Sequence, residues 1–439
     1  MRGFEVNNAA DYRAVEEYIL ARSDTAADTA VADKLEQTRW IVDAVRKNGD
    51  AAVQEFTERF DGVTLEPDQF ELGPDEIDAA VRQAPRKLVA ILERAYDNIR
   101  RFHEKNLRQS WEETLPDGTV LGQRVLPVEH AGVYVPGGKA FYPSSVLMNI
   151  APAAVAGVRD IVMVSPPSWE GSIHPVVLAA AKVAGATRVF RVGGAQAVAA
   201  LAYGTETLPA VNKITGPGNT FVTAAKALVR NTVEIDSEAG PSEVLVVADA
   251  KANPAFVAWE LLAQAEHDEE AACMLVTTSA DLARAVEEEV ARRAGTLPRR
   301  EIIKESLDRF GAVAIVRSLD DVVALANLFA PEHLSIQTEF PRQVADRIHN
   351  AGAMMLGAMT PVAVGDYYAG PNHILPTGRR ARFASPLSAE DFRKVTSVLY
   401  YSRERLEAEA DDIVELAQAE QLSAHARAVL ARKNEKEAP

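Results

Sequence analysis

The sequence predicts an α/β protein with two domains built on parallel sheets, flanked by helical segments at both ends. Three observations lead there. The chain has 439 residues, and at ~100 to 200 residues per domain that allows two to four domains with large buried cores. Its composition, 47% hydrophobic and 25% charged, is that of an ordinary globular protein and excludes disorder as the main state. From about Val125 onward, short apolar runs alternate with Ala-rich helical stretches, which is the texture of βαβ units and a parallel sheet.

The first hundred residues read as helices. Trp40, Ile41, Ala44 and Val45 recur at helical spacing before Asn48-Gly49, and Val53, Phe56 and Phe60 follow Asp50 until Gly62. A first series of strand-like runs comprises Ile161 to Ser165, Val189 to Val192, Lys213 to Thr215 and Val244 to Ala248. A second comprises Met274 to Thr277, Ala312 to Val316, Leu334 to Gln337 and Ala353 to Leu356. Helical patterns such as Ala255 to Ala265 and Leu282 to Arg293 separate the members of the second series. From Ser388 the chain is highly charged and reads as a helical extension of about fifty residues, with Ile413, Leu416, Ala417 and Leu422 on one stripe. The two α/β halves could be distant duplicates, which the sequence alone leaves open.

Charge and cysteine content narrow the partners. With 47 Lys+Arg against 63 Asp+Glu, the formal charge is −16, which disfavours nucleic acid and anionic membranes and points to small-molecule ligands. The single cysteine, Cys273, cannot form an internal disulfide and excludes Cys-rich zinc sites. The opening residues lack the plan of a signal peptide, and the most apolar stretch, Val146 to Val158, is too short to span a bilayer. A cytoplasmic compartment is expected.

Three glycine clusters follow strand-like residues: Val135-Pro136-Gly137-Gly138, Val192-Gly193-Gly194-Ala195-Gln196 and Thr215-Gly216-Pro217-Gly218-Asn219. A strand, a Gly-rich turn and a helix N-terminus together can hold an anion such as phosphate. They can equally be tight βα turns and nothing more. Neither G-x-G-x-x-G after a strand nor a P-loop is present.

Four of the eight histidines stand in polar contexts: His267, His333, His373 and His425. Gln264 and His267 lie three apart at the end of an amphipathic helix, where they could grip one ion or simply form a charged helix end. Glu332 and His333 are adjacent between a helix and a strand, an acid and a base that could share proton transfers. Neighbours in a strand point to opposite faces, so both serve one site only if the backbone there is irregular. Asp366 and His373 share a loop rich in turn formers. Glu420 and His425 lie near the end of the C-terminal extension on a polar face. Cys273, in the apolar run Ala271 to Val276, reads as an inert core thiol.

Taken together, these segments closely resemble the histidinol dehydrogenase family. The motifs are Tyr134-Val135-Pro136-Gly137-Gly138, Gly193-Gly194-Ala195-Gln196, Gly216-Pro217-Gly218-Asn219, Ala239-Gly240-Pro241-Ser242-Glu243, Gln264-Ala265-Glu266-His267, Ala330-Pro331-Glu332-His333-Leu334, Asn372-His373-Ile374-Leu375-Pro376-Thr377, and finally Glu420 and His425. The resemblance implies two Rossmann-like domains without the usual glycine fingerprint, helical N- and C-terminal extensions, and an intertwined homodimer. The implied boundaries are 1–30 for the N-terminal extension, 31–133 plus 249–385 for the first α/β domain, 134–248 for the second, NAD-binding one, and 386–439 for the C-terminal extension. It also implies one Zn²⁺ per subunit held by Gln264, His267, Asp366 and His425, the last donated by the partner. Glu332 and His333 would be the catalytic pair; Tyr134, Gln196 and Asn219 would contact NAD. Ser242, Gln264, His267, His333, Asp366, Glu420 and His425 would contact substrate, with His373 in the loop near the same pocket.

The implied reaction is the NAD-dependent, four-electron oxidation of L-histidinol to L-histidine through L-histidinaldehyde, the last step of histidine biosynthesis. A family paralogue oxidising another small polyol or amino alcohol is the alternative, and from other classes an inert binding protein or a zinc hydrolase. The sequence departs from the family's usual pattern at Ser237-Glu238 and at Trp259-Glu260.

Overall fold

The computed structural model describes residues 1–21, 29–137, 141–237 and 240–433. Gly138, Glu238 and Ala239, named above in motifs, residues 22–28 of the predicted N-terminal extension and residues 434–439 of the C-terminal one lie outside the described residues. Among those described, fourteen strands follow in chain order: β1 (Arg2–Glu5), β2 (Trp111–Thr114), β3 (Val120–Pro127), β4 (His130–Tyr134), β5 (Asp160–Val164), β6 (Arg188–Phe190), β7 (Lys213–Thr215), β8 (Glu234–Ile235), β9 (Glu243–Ala248), β10 (Ala272–Thr277), β11 (Gly311–Ile315), β12 (His333–Gln337), β13 (Ala353–Leu356) and β14 (Arg393–Tyr400). The chain divides into two compact units. Met1–Asn106 with Val128–Phe392 makes the larger, and Leu107–Pro127 with Arg393–Pro439 the smaller.

The larger unit holds two all-parallel sheets. One has five strands in the order β6-β5-β4-β7-β8; the other has six, β1-β11-β10-β9-β12-β13. Leaving out β1, each reads 3-2-1-4-5 in its own chain order, the doubly wound pattern with a switch point between its first and fourth strands. Identical strand order in both halves supports the duplication that the sequence left open.

Membership of the sheets departs from the sequence reading at four places. Val244–Ala248, grouped above with the first series, is the centre of the six-stranded sheet, buried on both faces from Glu243 to Ala248. Such a strand is a continuous apolar run, with nothing in it to say which sheet it joins. The N-terminus is not all helix: Arg2–Glu5 pairs in parallel with β11 at the sheet edge. The helices Thr29–Asn48 and Asp50–Asp61, expected with the first domain, bury Ile41, Val45, Val53 and Phe56 in the same core as Tyr134 of the five-stranded sheet and Val198 and Leu201 of the helix Gly194–Tyr203. By contrast Val15 and Ile19 pack with Leu245, Met274 and Leu334.

The fourth difference is in the smaller unit, where Arg393–Tyr400 is a strand rather than a helix. It pairs antiparallel with β3, which in turn pairs with β2. The run Val395-Thr396-Ser397-Val398 is rich in β-branched residues, which favour a pleated partner. The helices Arg403–Ala419 and Ser423–Lys433 follow as the charged pattern predicts. Cys273 is buried in β10 and forms no disulfide, as expected. Among the described residues, no helix is long and apolar enough to cross a membrane.

Candidate active site

Two clusters of the predicted site residues lie in the larger unit, one at the end of each sheet. The first occupies the carboxyl ends of β4, β6 and β7. Tyr134, the last residue of β4, is 3% exposed, and its Oη accepts the backbone N–H of Gly194 at 3.1 Å. Burial, the largest influence, pushes its hydroxyl up to about 12. Gly216, just past β7, has φ +114°, and a Cβ there would lie 2.0 Å from the Tyr134 carbonyl, so only glycine lets the two loops meet. Gln196, in the first turn of the helix Gly194–Tyr203, is 1% exposed with neither amide atom partnered. Asn219 caps the helix Thr220–Val229, its Oδ1 accepting from Phe221 and Val222 at 3.0 and 3.1 Å. The three residues expected at the dinucleotide therefore converge where the strand order reverses.

Sequence reasoning missed what steadies this crevice. Asp236 Oδ2 accepts the Gly216 N–H at 2.7 Å, Lys226 Nζ donates to the Gly216 carbonyl at 3.0 Å, and Lys226 and Asp236 pair with each other, both side chains almost wholly buried. Asp61 was also unmarked. It has a buried Oδ2 without a partner and is pushed up to about 6 by burial, and its charge reaches Tyr134.

The second cluster sits at the amino ends of β9 and β12. Ala330, which ends the helix Leu319–Phe329, is left-handed at φ +47°, and Glu332 precedes the strand that begins at His333. The backbone irregularity required of an adjacent acid and base is present, and both side chains reach one place. Glu332 Oε2 accepts the N–H of Glu243 at 2.8 Å and lies 3.5 Å from His333 Nδ1, which faces the Glu243 carbonyl at 3.3 Å. On the other side His333 Nε2 lies 3.1 Å from Asp366 Oδ1. Burial pulls the imidazole down, but Glu332 and Asp366 together outweigh it and push His333 up to about 10. Asp366 is pulled up by burial and down more strongly by His333, His373 and His267, and ends below the usual carboxylate range.

His373 holds this arrangement from behind. Its Nδ1 donates to the Asp366 carbonyl at 2.8 Å, leaving Nε2 facing Ser145 Oγ at 3.4 Å, and burial lowers its pKa. Gln264 is 3% exposed with Nε2 unpartnered. His267 lies beyond the end of the helix Pro254–Ala265, exposed, with its N–H bonded to the Gln264 carbonyl at 3.2 Å. Glu260, noted above only as a departure from the family's usual pattern, lies on the Gln264 face of that helix and accepts the first N–H of the helix Val362–Tyr367 that carries Asp366, at 3.0 Å. Its i, i+4 relation to Gln264 was the available signal. Ser242 immediately precedes β9. Glu420 and His425 belong to the smaller unit and are exposed there.

The donors in this cluster fit a zinc ion in kind. A buried amide without a partner, a carboxylate held ionised and a free imidazole are nitrogen and oxygen ligands. Among the described residues, no three His, Cys, Asp or Glu stand together as a metal cage. The expected set puts only His267 and Asp366 of those types in the larger unit.

A family model for histidinol dehydrogenase matches residues 24–433. The chain belongs to the histidinol dehydrogenase family. Histidinol dehydrogenase of Heliobacterium mobile is 53% identical over 396 residues, 90% of this chain and 93% of that one. That of Rhodopseudomonas palustris is 50% identical over 419 residues, 95% of this chain and 96% of its own. The crystal structure of histidinol dehydrogenase from Elizabethkingia anophelis superposes with a TM-score of 0.91 at 33% identity, covering 98% of both chains. Histidinol dehydrogenases of this similarity share the whole length of the chain, so both clusters fall inside the family match.

Proposed function

We propose that this chain is a zinc- and NAD-dependent histidinol dehydrogenase that oxidises L-histidinol to L-histidine through the aldehyde. The observation that carries the reading is the Glu332–His333–Asp366 cluster at the amino ends of β9 and β12. It sits in a chain about half identical to proteins named for this activity. A paralogue with another small alcohol as substrate is not favoured, because the relatives similar over nine-tenths of the chain that are named above are histidinol dehydrogenases.

In this reading Tyr134, Gln196 and Asn219 bind NAD. The unpartnered Gln196 amide and the free Asn219 Nδ2 are available to it, while Gly216 lets the dinucleotide approach the backbone. Gln264, His267 and Asp366, with His425 of a second subunit, would hold zinc, which would supply Lewis acidity. Ser242 and Glu420 contact the substrate beside them. His333 takes the hydroxyl proton as hydride leaves for NAD⁺. In the cluster as it stands Glu332 and Asp366 favour a proton on His333; with Asp366 serving as a ligand instead, the imidazole would keep only Glu332 beside it and could act as base. Glu332, anchored by the Glu243 N–H, then activates the water that adds to the bound aldehyde. Cys273 is buried in a central strand, so a thiol adduct has no donor and hydration is the route that remains.

The homodimer belongs to the same proposal, and exposure of His425 in the smaller unit supports it. So does a domain division revised by sheet membership. The NAD domain holds β4 to β8 with the helices from Thr29 to Asp61, and the catalytic domain holds β1 and β9 to β13. A cytoplasmic location, suggested by the lone cysteine, completes it. The test is NADH absorbance after mixing protein, Zn²⁺, NAD⁺ and L-histidinol. Two NADH per histidinol, lost on chelation and restored by zinc, is expected; no absorbance in metal-replete protein would overturn the reading.

A further inference from the structure

Catalytic residues of the six-stranded sheet gather at the amino ends of its strands, which leaves the carboxyl ends without a role. In open parallel sheets, ligands bind outside the carboxyl ends, in the crevice where strand order reverses. Here that point lies between β9 and β12. A cleft of about 390 Å³ opens there, within the range of small-molecule sites. Ala248 ends β9 there and Asp249 follows it, while Thr278 follows β10, Arg317 lies just past β11 and Thr338 follows β12.

Its chemistry is specific. Arg317 is exposed and has no hydrogen-bond or ion-pair partner among the described residues. Thr338 Oγ1 is buried without a partner. The neighbouring carboxylates are already engaged. Asp249 accepts the N–H groups of Lys251 and Glu339 at 2.9 and 2.7 Å, Glu339 pairs with Lys251, Asp320 pairs with Arg347 at 2.6 Å, and Asp321 accepts from Ser318 Oγ at 2.7 Å. Arg317 is the one cation among the residues lining the cleft, while the lining carboxylate of Asp249 has both oxygens turned to backbone N–H groups; the guanidinium's planar fork suits carboxylate or phosphate. Phe340, 57% exposed, and Val344 supply an apolar wall.

We propose that this cleft binds a small organic anion, a carboxylate or a phosphate ester carrying a flat apolar group, with Arg317 and Thr338 on the charged end and Phe340 against the ring. The site is independent of the catalytic cluster. The strands between them place it roughly 15 Å away, at about 3.3 Å per residue.

Calorimetry on the full-length protein, loaded with zinc and saturated with NAD⁺ so that the crevice of the five-stranded sheet is filled, tests this with phenyl phosphate, benzoate and inorganic phosphate. One site per chain is expected for an aromatic probe, and whichever of the two binds tighter identifies the charged group. Arg317→Ala and Thr338→Val should each weaken it, the former by about tenfold or more, with histidinol turnover unchanged. Arg317→Lys, which keeps the charge without the fork, should fall between. Absence of saturable binding, undiminished binding in Arg317→Ala, or inorganic phosphate binding as tightly as phenyl phosphate would each overturn the proposal. Histidinol turnover, read in the same samples, reports separately on the catalytic reading.

Discussion

Asp366 and His333 face each other across 3.1 Å, Oδ1 to Nε2, from positions 33 residues apart in the chain. With Glu332 on the other side, the contact favours the charged imidazole, and the carbonyl of the same Asp366 is held by His373. One aspartate is thus fixed at its backbone and left to choose partners with its side chain.

Replacing the base should separate the two oxidation steps. His333→Asn is expected to lower turnover with L-histidinol by about 10² to 10⁴-fold, the usual range for general-base catalysis. Glu332→Gln should spare the first hydride transfer more than the second, because the water step needs the carboxylate. Single-turnover NADH formation from histidinol and from histidinaldehyde distinguishes them; equal losses in both half-reactions for Glu332→Gln would assign it another role.

The Lys226–Asp236 pair predicts an effect confined to the dinucleotide. Asp236→Asn keeps an acceptor for the Gly216 N–H but weakens it, and should raise KM for NAD⁺ by about fivefold to tenfold with little change in KM for histidinol. Lys226→Met strands a buried carboxylate, and should cost about 3 to 5 kcal/mol of stability. Steady-state kinetics in both substrates, together with urea unfolding, measure the two effects.

Acid should loosen the fold at His103. This residue is 1% exposed with neither ring nitrogen partnered, and burial lowers it from 6.5 to about 4, against a smaller upward pull from Asp391. Its folded value lies below the unfolded one, so as pH falls the unfolded chain takes the proton first. The contribution is complete above about pH 6.5 and is lost towards pH 4, by up to roughly 3 kcal/mol. His103→Leu should flatten that part of the stability profile when unfolding midpoints are compared at pH 7 and pH 5.

Donation of His425 across a dimer predicts complementation. Mixing His333→Asn with His425→Ala chains under conditions that exchange subunits should restore about a quarter of wild-type activity, since half the dimers carry one intact site of two. No recovery after verified exchange would place His425 and His333 of one site on the same chain.

Much of this was legible in the amino-acid sequence. The order of the motifs carried the family, and Gln264, Glu332, His333 and Asp366 were marked by residue type and local setting. The alternation of apolar runs and helices announced parallel sheets, because a buried strand and its crossover each leave a local pattern. The helix Pro254–Ala265 shows how local such signals are: Asn253 caps it, accepting from Ala255 at 2.9 Å, and Pro254 opens it. At Trp259-Glu260, Trp259 lies under Arg293 while Glu260 turns inward to cap the helix bearing Asp366.

The remaining features are non-local and arise only when distant segments pack together. Val244–Ala248 carries no mark of the sheet it joins, since every side chain of a central strand is apolar whichever neighbours it has. Glu332 meets the N–H of Glu243, 89 positions away in the chain, and Lys226, unremarkable in its helix, finds Asp236 and Gly216 only when β7 and β8 lie side by side. Residue types and local patterning specify which chemistry is carried and which turns can bear it. Folding decided which end of each sheet receives it, because parallel strands are joined by crossovers whose pairing depends on the whole core.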